Sequence, residues 1–130
     1  MTYGLSATID RPFATVVQEV KDALAEQGFG VLTEIDIKAT LKKKLDVDVP
    51  DQVILGACNP RFAYQALQTE PSIGLLLPCN VVVRSEGSAT IVEMINPQTM
   101  VDVTQNPDMV AVADQVTGLL QTALDAVNGK

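Results

Sequence analysis

Apolar residues recur every three or four positions near both ends of the chain, which is the period of an amphipathic helix. The first such segment follows Asp10-Arg11-Pro12, a sequence typical of a helix start, and its pattern ends near Gly28. The last segment follows Asn106-Pro107 and ends at Asn128-Gly129. These patterns predict a first helix from about residue 13 and a long last helix from about residue 107.

Shorter apolar segments between these helices predict strands and two further helices. The strands are predicted over residues 2–9, 29–35, 52–57, 74–84 and 89–95, with helices over residues 37–45 and 60–67 and a loop over residues 96–105. Residues 74–84 are the most apolar, which is typical of a strand covered on both faces, and a bulge or an edge position is expected at Pro78. The order β-α-β-α-β-α-β-β-α predicts one α+β domain over residues 1–130, whose last two strands form a hairpin.

Composition and charge argue against two classes of binding partner, nucleic acids and membranes. The net charge of −7 disfavours binding to nucleic acid, because a phosphate backbone repels an acidic protein. The one basic cluster is followed at once by acidic residues, so we interpret it as a solvated helix face; it comprises Lys38, Lys42, Lys43 and Lys44, followed by Asp46, Asp48 and Asp51. We see no signal peptide and no apolar run of the ~20 residues that cross a bilayer, so we expect a soluble, cytoplasmic protein without a membrane partner.

The two cysteines are the candidate chemistry of the chain. The sequence contains no histidine, which excludes Ser-His-Asp and Cys-His catalytic groups and histidine-bearing zinc sites, and it contains no glycine-rich nucleotide motif. Each cysteine is followed by an asparagine, so the candidate ligand or thiol site comprises Cys58, Asn59, Cys79 and Asn80. In a reducing compartment the two thiols need not form a disulfide. We assign no catalytic residue.

Two interpretations are open for each cysteine. Cys58 lies just before a predicted helix, where free amide groups favour a thiolate, but it would equally serve as a small buried residue at a strand end. Cys79 lies in an apolar strand, which should raise the pKa of its thiol unless the strand is interrupted and the sulfur faces a pocket. Both cysteines with one of Met94 or Met100 would make a soft-metal site, but with too few ligands for closed tetrahedral zinc. We therefore assign no metal ligands and no cofactor.

The asparagines have structural interpretations as well. Asn59 and Asn106 precede prolines and are predicted to be helix N-caps. Asn80 is expected to satisfy backbone groups left free around Pro78. If Asn59 and Asn80 instead lie beside both thiols, the four residues would line a small polar pocket in an aliphatic shell, which is the form of a ligand site.

Four motifs together resemble a known family. They are L-G-A-C-N-P at residues 55–60, A-x-x-A-L at 63–67, E-P-x-I-G-L-L-L-P-C-N-V-V-V at 70–83 and I-N-P at 95–97. They resemble the bacterial and archaeal family called domain of unknown function 302, over nearly the whole chain. The resemblance implies a fold similar to the TATA-binding protein, with a curved antiparallel sheet of about five strands, helices on one side, and homodimers. It carries over Cys58 and Cys79 with their neighbours and brings no activity, substrate or cofactor.

These observations lead to two hypotheses about function. The first is a homodimeric domain, non-enzymatic or small-ligand binding, whose candidate site is the two Cys-Asn motifs. In that arrangement the partner chain would cover one face of the strand at residues 74–83. The alternative is a thiol-based redox or soft-metal sensing protein that uses Cys58 and Cys79. The distance between the two sulfur atoms tests the redox form of this alternative. Sulfur atoms that lie far apart and buried would exclude an intramolecular disulfide.

Overall fold

A computed structural model describes residues 2–130 of the chain. Its centre is a five-stranded antiparallel sheet with strand order β1-β5-β4-β3-β2. The strands are β1 (Gly4–Ile9), β2 (Gly30–Asp36), β3 (Gln52–Cys58), β4 (Cys79–Glu86) and β5 (Ala89–Ile95). β4 and β5 form the predicted hairpin, which turns at Gly87, where φ is +61°. Glycine adopts this left-handed backbone without the steric cost of a side chain.

Five α-helices connect and cover these strands. They are α1 (Phe13–Glu26), α2 (Ile37–Leu45), α3 (Pro60–Thr69), α4 (Gln98–Thr104) and α5 (Val110–Asn128). Two 3₁₀ segments, Pro71–Leu76 and Pro107–Met109, precede β4 and α5. Proline begins α3 and both 3₁₀ segments, since the first position of a helix needs no backbone donor.

The core lies between the sheet and helices α1, α3 and α5. Alternate residues of β3, β4 and β5 point toward these helices and are buried, among them Leu55, Val81, Val83 and Val92. The helices contribute their own apolar stripes, with Val20 and Leu24 on α1 and a longer stripe on α5. The prediction of an α+β fold with a five-stranded antiparallel sheet is therefore confirmed.

The structure corrects the predicted strand over residues 74–84. Its first part is the 3₁₀ segment Pro71–Leu76, and β4 begins only at Cys79, after a cis peptide bond between Leu77 and Pro78. The unbroken apolar run suggested a strand covered on both faces, yet Leu75 is 87% exposed. Pro78 does not bulge the strand; it precedes the first strand residue, because proline has no backbone donor for a sheet.

Two further predictions are wrong in part. Residues 96–105 are predicted as a loop, but Gln98–Thr104 form α4, because Pro97 ends the strand and one turn later Met100 is buried in the core. In α2 the recurrence of Ile37, Leu41 and Leu45 at every fourth position predicts an apolar face, yet none of its residues is buried and Leu45 is 66% exposed. The bounds of α2 nevertheless agree with the sequence pattern.

The other face of the sheet carries a row of β-branched side chains. Ile35, Ile54 and Val82 are cross-strand neighbours on β2, β3 and β4, and they point away from α1, α3 and α5. Beside this row, Arg84 donates to Glu93 at 3.0 Å. We call this surface the open face, defined by these five residues. Ile54 and Val82 are half-buried and Ile35 is 46% exposed.

The lysines of α2 lie beside acidic residues. Lys42 pairs with Asp46 at 2.9 Å and with Asp48 at 3.4 Å, and Lys38 lies 3.8 Å from Asp51. All of these side chains are about half-exposed or more, so the pairs reduce the positive field of α2 without adding much stability. Across residues 2–130, no helix is long and apolar enough to cross a membrane.

Candidate ligand site at the two cysteines

The sheet register places the two cysteines at adjacent strand ends. Ala57 of β3 pairs with Cys79 of β4, so Cys58 lies one residue beyond the partner of Cys79. β3 ends at Cys58 because Pro60 begins α3 two residues later. β4 begins at Cys79 because Pro78 precedes it. The two Cys-Asn motifs, 21 residues apart in the sequence, thus meet at one end of the sheet.

A cavity lies at this end, between the sheet and the helices. Both cysteines line it, together with residues from α3, α4 and α5; most of the lining is apolar, and it includes Phe62, Ala66, Leu77, Met100, Met109 and Val112. The cavity is partly open to solvent, and the space in it that the centre of a water-sized molecule can reach is about 30 Å³. Both cysteines are free thiols, not a disulfide.

Burial controls the chemistry of Cys79. This residue is 6% exposed, whereas Cys58 is half-buried. Loss of water around the thiol, with a smaller contribution from the charge of a Cys58 thiolate, raises the pKa of Cys79 to about 11. Burial raises this pKa even though the strand begins only at Cys79 and the residue lines the cavity. Cys79 is a neutral thiol at neutral pH, and Cys58 is the cysteine that solvent reaches.

Asn59 lines the cavity but does not cap α3 with its side chain. It occupies the N-cap position, as predicted, but the helix receives no side-chain cap. Instead its amide donates to the backbone carbonyl of Gln27, just beyond the end of α1, at 3.2 Å. The next residue, Gly28, has φ +86°, and a Cβ there would lie 3.0 Å from Asn59 Nδ2. Asn106, in contrast, is a side-chain cap and accepts from the amide of Asp108.

Asn80 lies away from the cavity. Successive residues of a strand point to opposite faces, so Asn80 points to the face opposite Cys79, and it is exposed. Its cross-strand partner is Gly56. Pro78 and Thr33 pack closely over this glycine: an added Cβ would lie 2.8 Å from Pro78 Cγ and would clash with Thr33 Oγ1. Three of the four candidate residues, Cys58, Asn59 and Cys79, thus line one cavity, and Asn80 does not.

The cavity wall also contains sulfur atoms that the two motifs do not supply. Met100 of α4 and Met109 of the second 3₁₀ segment both line it. Met94, the other methionine considered in the sequence, is buried in β5 and does not line the cavity. Within residues 2–130 no three His, Cys, Asp or Glu side chains are grouped to hold a metal ion. Met109 has no sequence signal of its own, because it lies in an ordinary helix start.

Comparisons with known proteins agree with one another. A family model described as domain of unknown function DUF302 matches residues 5–127. The crystal structure of an uncharacterized conserved DUF302 protein from Bacillus stearothermophilus superposes with a TM-score of 0.91 and 26% sequence identity, covering 98% of this chain and 99% of that one. No curated protein matches the chain. The family model spans nearly all of the chain, including both Cys-Asn motifs, and so the chain belongs to the DUF302 family.

Proposed function

We propose that this protein is a non-enzymatic binding domain that takes a small ligand in the cavity beside Cys58, Asn59 and Cys79. The observation that carries the proposal is the convergence of both Cys-Asn motifs on one depression that solvent reaches. Its apolar lining and few polar groups are typical of ligand sites. The small volume of the cavity, about 30 Å³, favours a small ligand.

Xenon is a suitable probe, because apolar cavities bind this single atom without specific contacts. In a protein with ¹³C-labelled methyl groups, dissolved xenon should shift the methyl resonances of Leu77 and Val112, which line the cavity. The methyl groups of Ile35 and Val82, on the open face, serve as the internal control. Equal shifts at both places, or none at Leu77 and Val112, would contradict the proposal.

Alanine residues on the cavity wall offer a second test. Ala66 lines the cavity and is buried, so Ala66→Leu should fill the space and remove the xenon shifts. Ala123 is equally buried on α5 but does not line the cavity, so Ala123→Leu is the matched control for overpacking. Xenon shifts that persist in folded Ala66→Leu protein would mean that the ligand space lies elsewhere.

The same proposal includes a homodimer in which a second copy covers the open face. Ile35, Ile54 and Val82 form a continuous uncharged row, and the neighbouring Arg84 and Glu93 neutralise each other. Two copies that each carry a charge of −7 repel least where the facing surfaces are neutral.

Light scattering coupled to gel filtration tests this interface. We expect a particle of twice the 13.9 kDa chain mass at micromolar concentration. Val82→Lys should return the mass to that of one chain, whereas Val47→Lys, at an exposed position outside the open face, should leave the dimer intact. A wild-type monomer at every concentration would overturn the dimer but not the cavity proposal.

A thiol-based redox function is the second candidate, because both thiols line one cavity. It has less support, since the high pKa of Cys79 leaves little thiolate at neutral pH. In the reaction, two thiols would lose two protons and two electrons to glutathione disulfide and form an intramolecular disulfide. Mass spectrometry after equilibration with glutathione detects the loss of two hydrogens. A reversible loss near cytosolic potentials would favour this candidate. The predicted cytoplasmic location is compatible with both the ligand-binding and the redox function, because free thiols persist in a reducing compartment.

A further inference from the structure

Four sulfur-bearing side chains from separate parts of the chain line the same cavity. Cys58 and Cys79 come from the ends of β3 and β4, Met100 comes from α4, and Met109 comes from the 3₁₀ segment before α5. Three of the four, all except Cys58, are buried. Methionine is an ordinary core residue, and burial alone does not bring it to the cavity. Met94 is buried in β5 but does not line the cavity.

The size of the cavity decides between kinds of ligand. Its volume of about 30 Å³ is enough for one or two water molecules. A drug-sized organic ligand needs roughly 300–1,000 Å³. A cavity of this volume, with both cysteines on its wall, suits a small ligand such as a single ion better than a drug-sized molecule.

We propose that this cavity binds one Cu(I) ion through the thiolates of Cys58 and Cys79 and the thioethers of Met100 and Met109. The inference rests on the proposed function of the cavity as a small-ligand site and names the class of its ligand. Thiolate and thioether are soft ligands, and together they select Cu(I) over harder divalent ions. On binding, each thiol releases its proton to the buffer as the Cu–S bond forms, and no electron is transferred.

The ligand set disfavours zinc. Structural zinc is held by four Cys, His or carboxylate ligands, and the described part of the chain groups no three of these side chains. Two cysteines alone would leave Zn²⁺ half-coordinated. For Cu(I), in contrast, two thiolates already make a stable complex, and the two methionines add softer contacts and exclude water.

The surroundings also suit a negatively charged metal–thiolate group. Cys58 lies directly before α3, whose first amide groups have no side-chain cap because Asn59 bonds to Gln27 instead. Such free amides make the start of a helix favourable for negative charge. The half-exposed Cys58 gives the ion a route from solvent to the buried sulfur atoms.

Titration with Cu(I) under anaerobic conditions, in competition with a chromogenic Cu(I) chelator, tests the proposal. We expect one Cu(I) per chain and an X-ray absorption spectrum with only sulfur neighbours. Half an ion per chain, or nitrogen and oxygen neighbours, would overturn the assignment of the ligands to a single cavity. The double variant Cys58→Ser/Cys79→Ser should lose the tight binding, and unchanged binding by this variant would also overturn it.

The methionines provide the sharper control, because Met-to-Leu changes nearly preserve volume. Met100→Leu and Met109→Leu should weaken Cu(I) binding, on the order of the 10- to 100-fold lost when a metal ligand's supporting group is removed. Met94→Leu makes the same change at a buried position outside the cavity and should leave the affinity unchanged. Equal effects of all three substitutions, or none, would overturn the thioether contacts.

Xenon separates failure of this inference from failure of the proposed function. If xenon shifts the methyl resonances of Leu77 and Val112 but Cu(I) does not bind, the copper assignment is overturned. The cavity would then still be a ligand site, but for a ligand other than Cu(I). If xenon causes no shifts and Cu(I) does not bind, both the ligand-cavity proposal and the Cu(I) proposal are overturned. Cu(I) that displaces xenon from these methyl groups is the expected result, because both would occupy the same space.

Discussion

The side-chain amide of Asn59 donates to the backbone carbonyl of Gln27, which joins the start of α3 to the end of α1. Asparagine before a helix usually bonds within that helix. Here the bond instead joins two residues that are 32 positions apart in the sequence. The close approach of Gly28 to the same amide leaves no room for a side chain at that position. The first Cys-Asn motif is therefore also part of the tertiary packing.

Asn59→Ala should destabilise the fold by about 1–2 kcal/mol, because it removes this bond and leaves the Gln27 carbonyl without its donor. Asn80→Ala is the matched control in the other Cys-Asn motif, where the side chain is exposed, and we expect a change within about 0.5 kcal/mol. Urea denaturation of the two variants measures the difference. Equal losses would show that the Asn59 bond contributes nothing beyond an exposed asparagine.

Gly56→Ala should destabilise the fold by roughly 1–3 kcal/mol, because the new methyl group would overlap Pro78 and the Thr33 side chain. Gly30→Ala is the control in the neighbouring strand, since a Cβ there meets nothing within 4 Å. Thermal unfolding of both variants gives the comparison.

The contact with Thr33 can be separated from the contact with Pro78. Thr33→Ala combined with Gly56→Ala should cost less than the sum of the single changes, because the smaller side chain relieves one of the two overlaps. Strict additivity would mean that Thr33 does not limit the space above Gly56.

Arg11→Met should destabilise the fold by about 1.5–3 kcal/mol, because it removes several charged hydrogen bonds at once. The guanidinium donates to Glu19 at 2.8 Å and to the carbonyls of Val127 and Lys130 at 2.6 and 3.0 Å, so it joins α1 to the end of α5. A cation at a helix C-terminus also offsets the negative end of the dipole. The exposed Arg61, changed to Met, is the control, and similar denaturation midpoints for the two variants would contradict this role.

The stability of the metal-free protein should decrease as the pH rises from about 9 to about 11. Cys79 has an ordinary pKa of 9.0, which burial raises to about 11, so in this range the folded chain keeps a proton that the unfolded chain has lost. The contribution of this group is therefore complete below pH 9 and lost by pH 11, and it amounts to at most 2–3 kcal/mol.

Tyrosine and lysine side chains also titrate in this range, so the measurement is a difference between variants. Urea denaturation at pH 8 and pH 10.5, with a chelator present, should show a smaller loss of stability for Cys79→Ala than for the wild type. Parallel losses in the two proteins would mean that Cys79 titrates normally in the folded chain.

The sequence predicts most of the fold because its patterns are local. The periodic apolar positions of α1 and α5, the Asn-Pro helix starts and the Glu86-Gly87 turn each depend on a few neighbouring residues. The strand predicted over residues 74–84 is right from Cys79 onward but begins too early, because an apolar run has no periodicity that separates a 3₁₀ segment from a buried strand.

The candidate site was only partly predictable, for a different reason. The two cysteines could be selected because the chain has no histidine, but their position at one cavity depends on the register of β3 and β4. Asn80 follows its cysteine as Asn59 does, yet the strand turns it to the opposite face. Met100 and Met109 reach the cavity through α4 and the start of α5, and the first of these was expected to be a loop.

β1 and β2 are successive strands in the sequence, but they form the two opposite edges of the sheet. Helix α1 therefore carries the chain across the full width: its 14 residues span about 21 Å, close to the roughly 19 Å of four strand spacings. During synthesis β1 emerges before β5 but has no partner in the sheet until β5, at residues 89–95, has left the ribosome. β1 is thus made before the other strands of this sheet but is among the last of them to be paired.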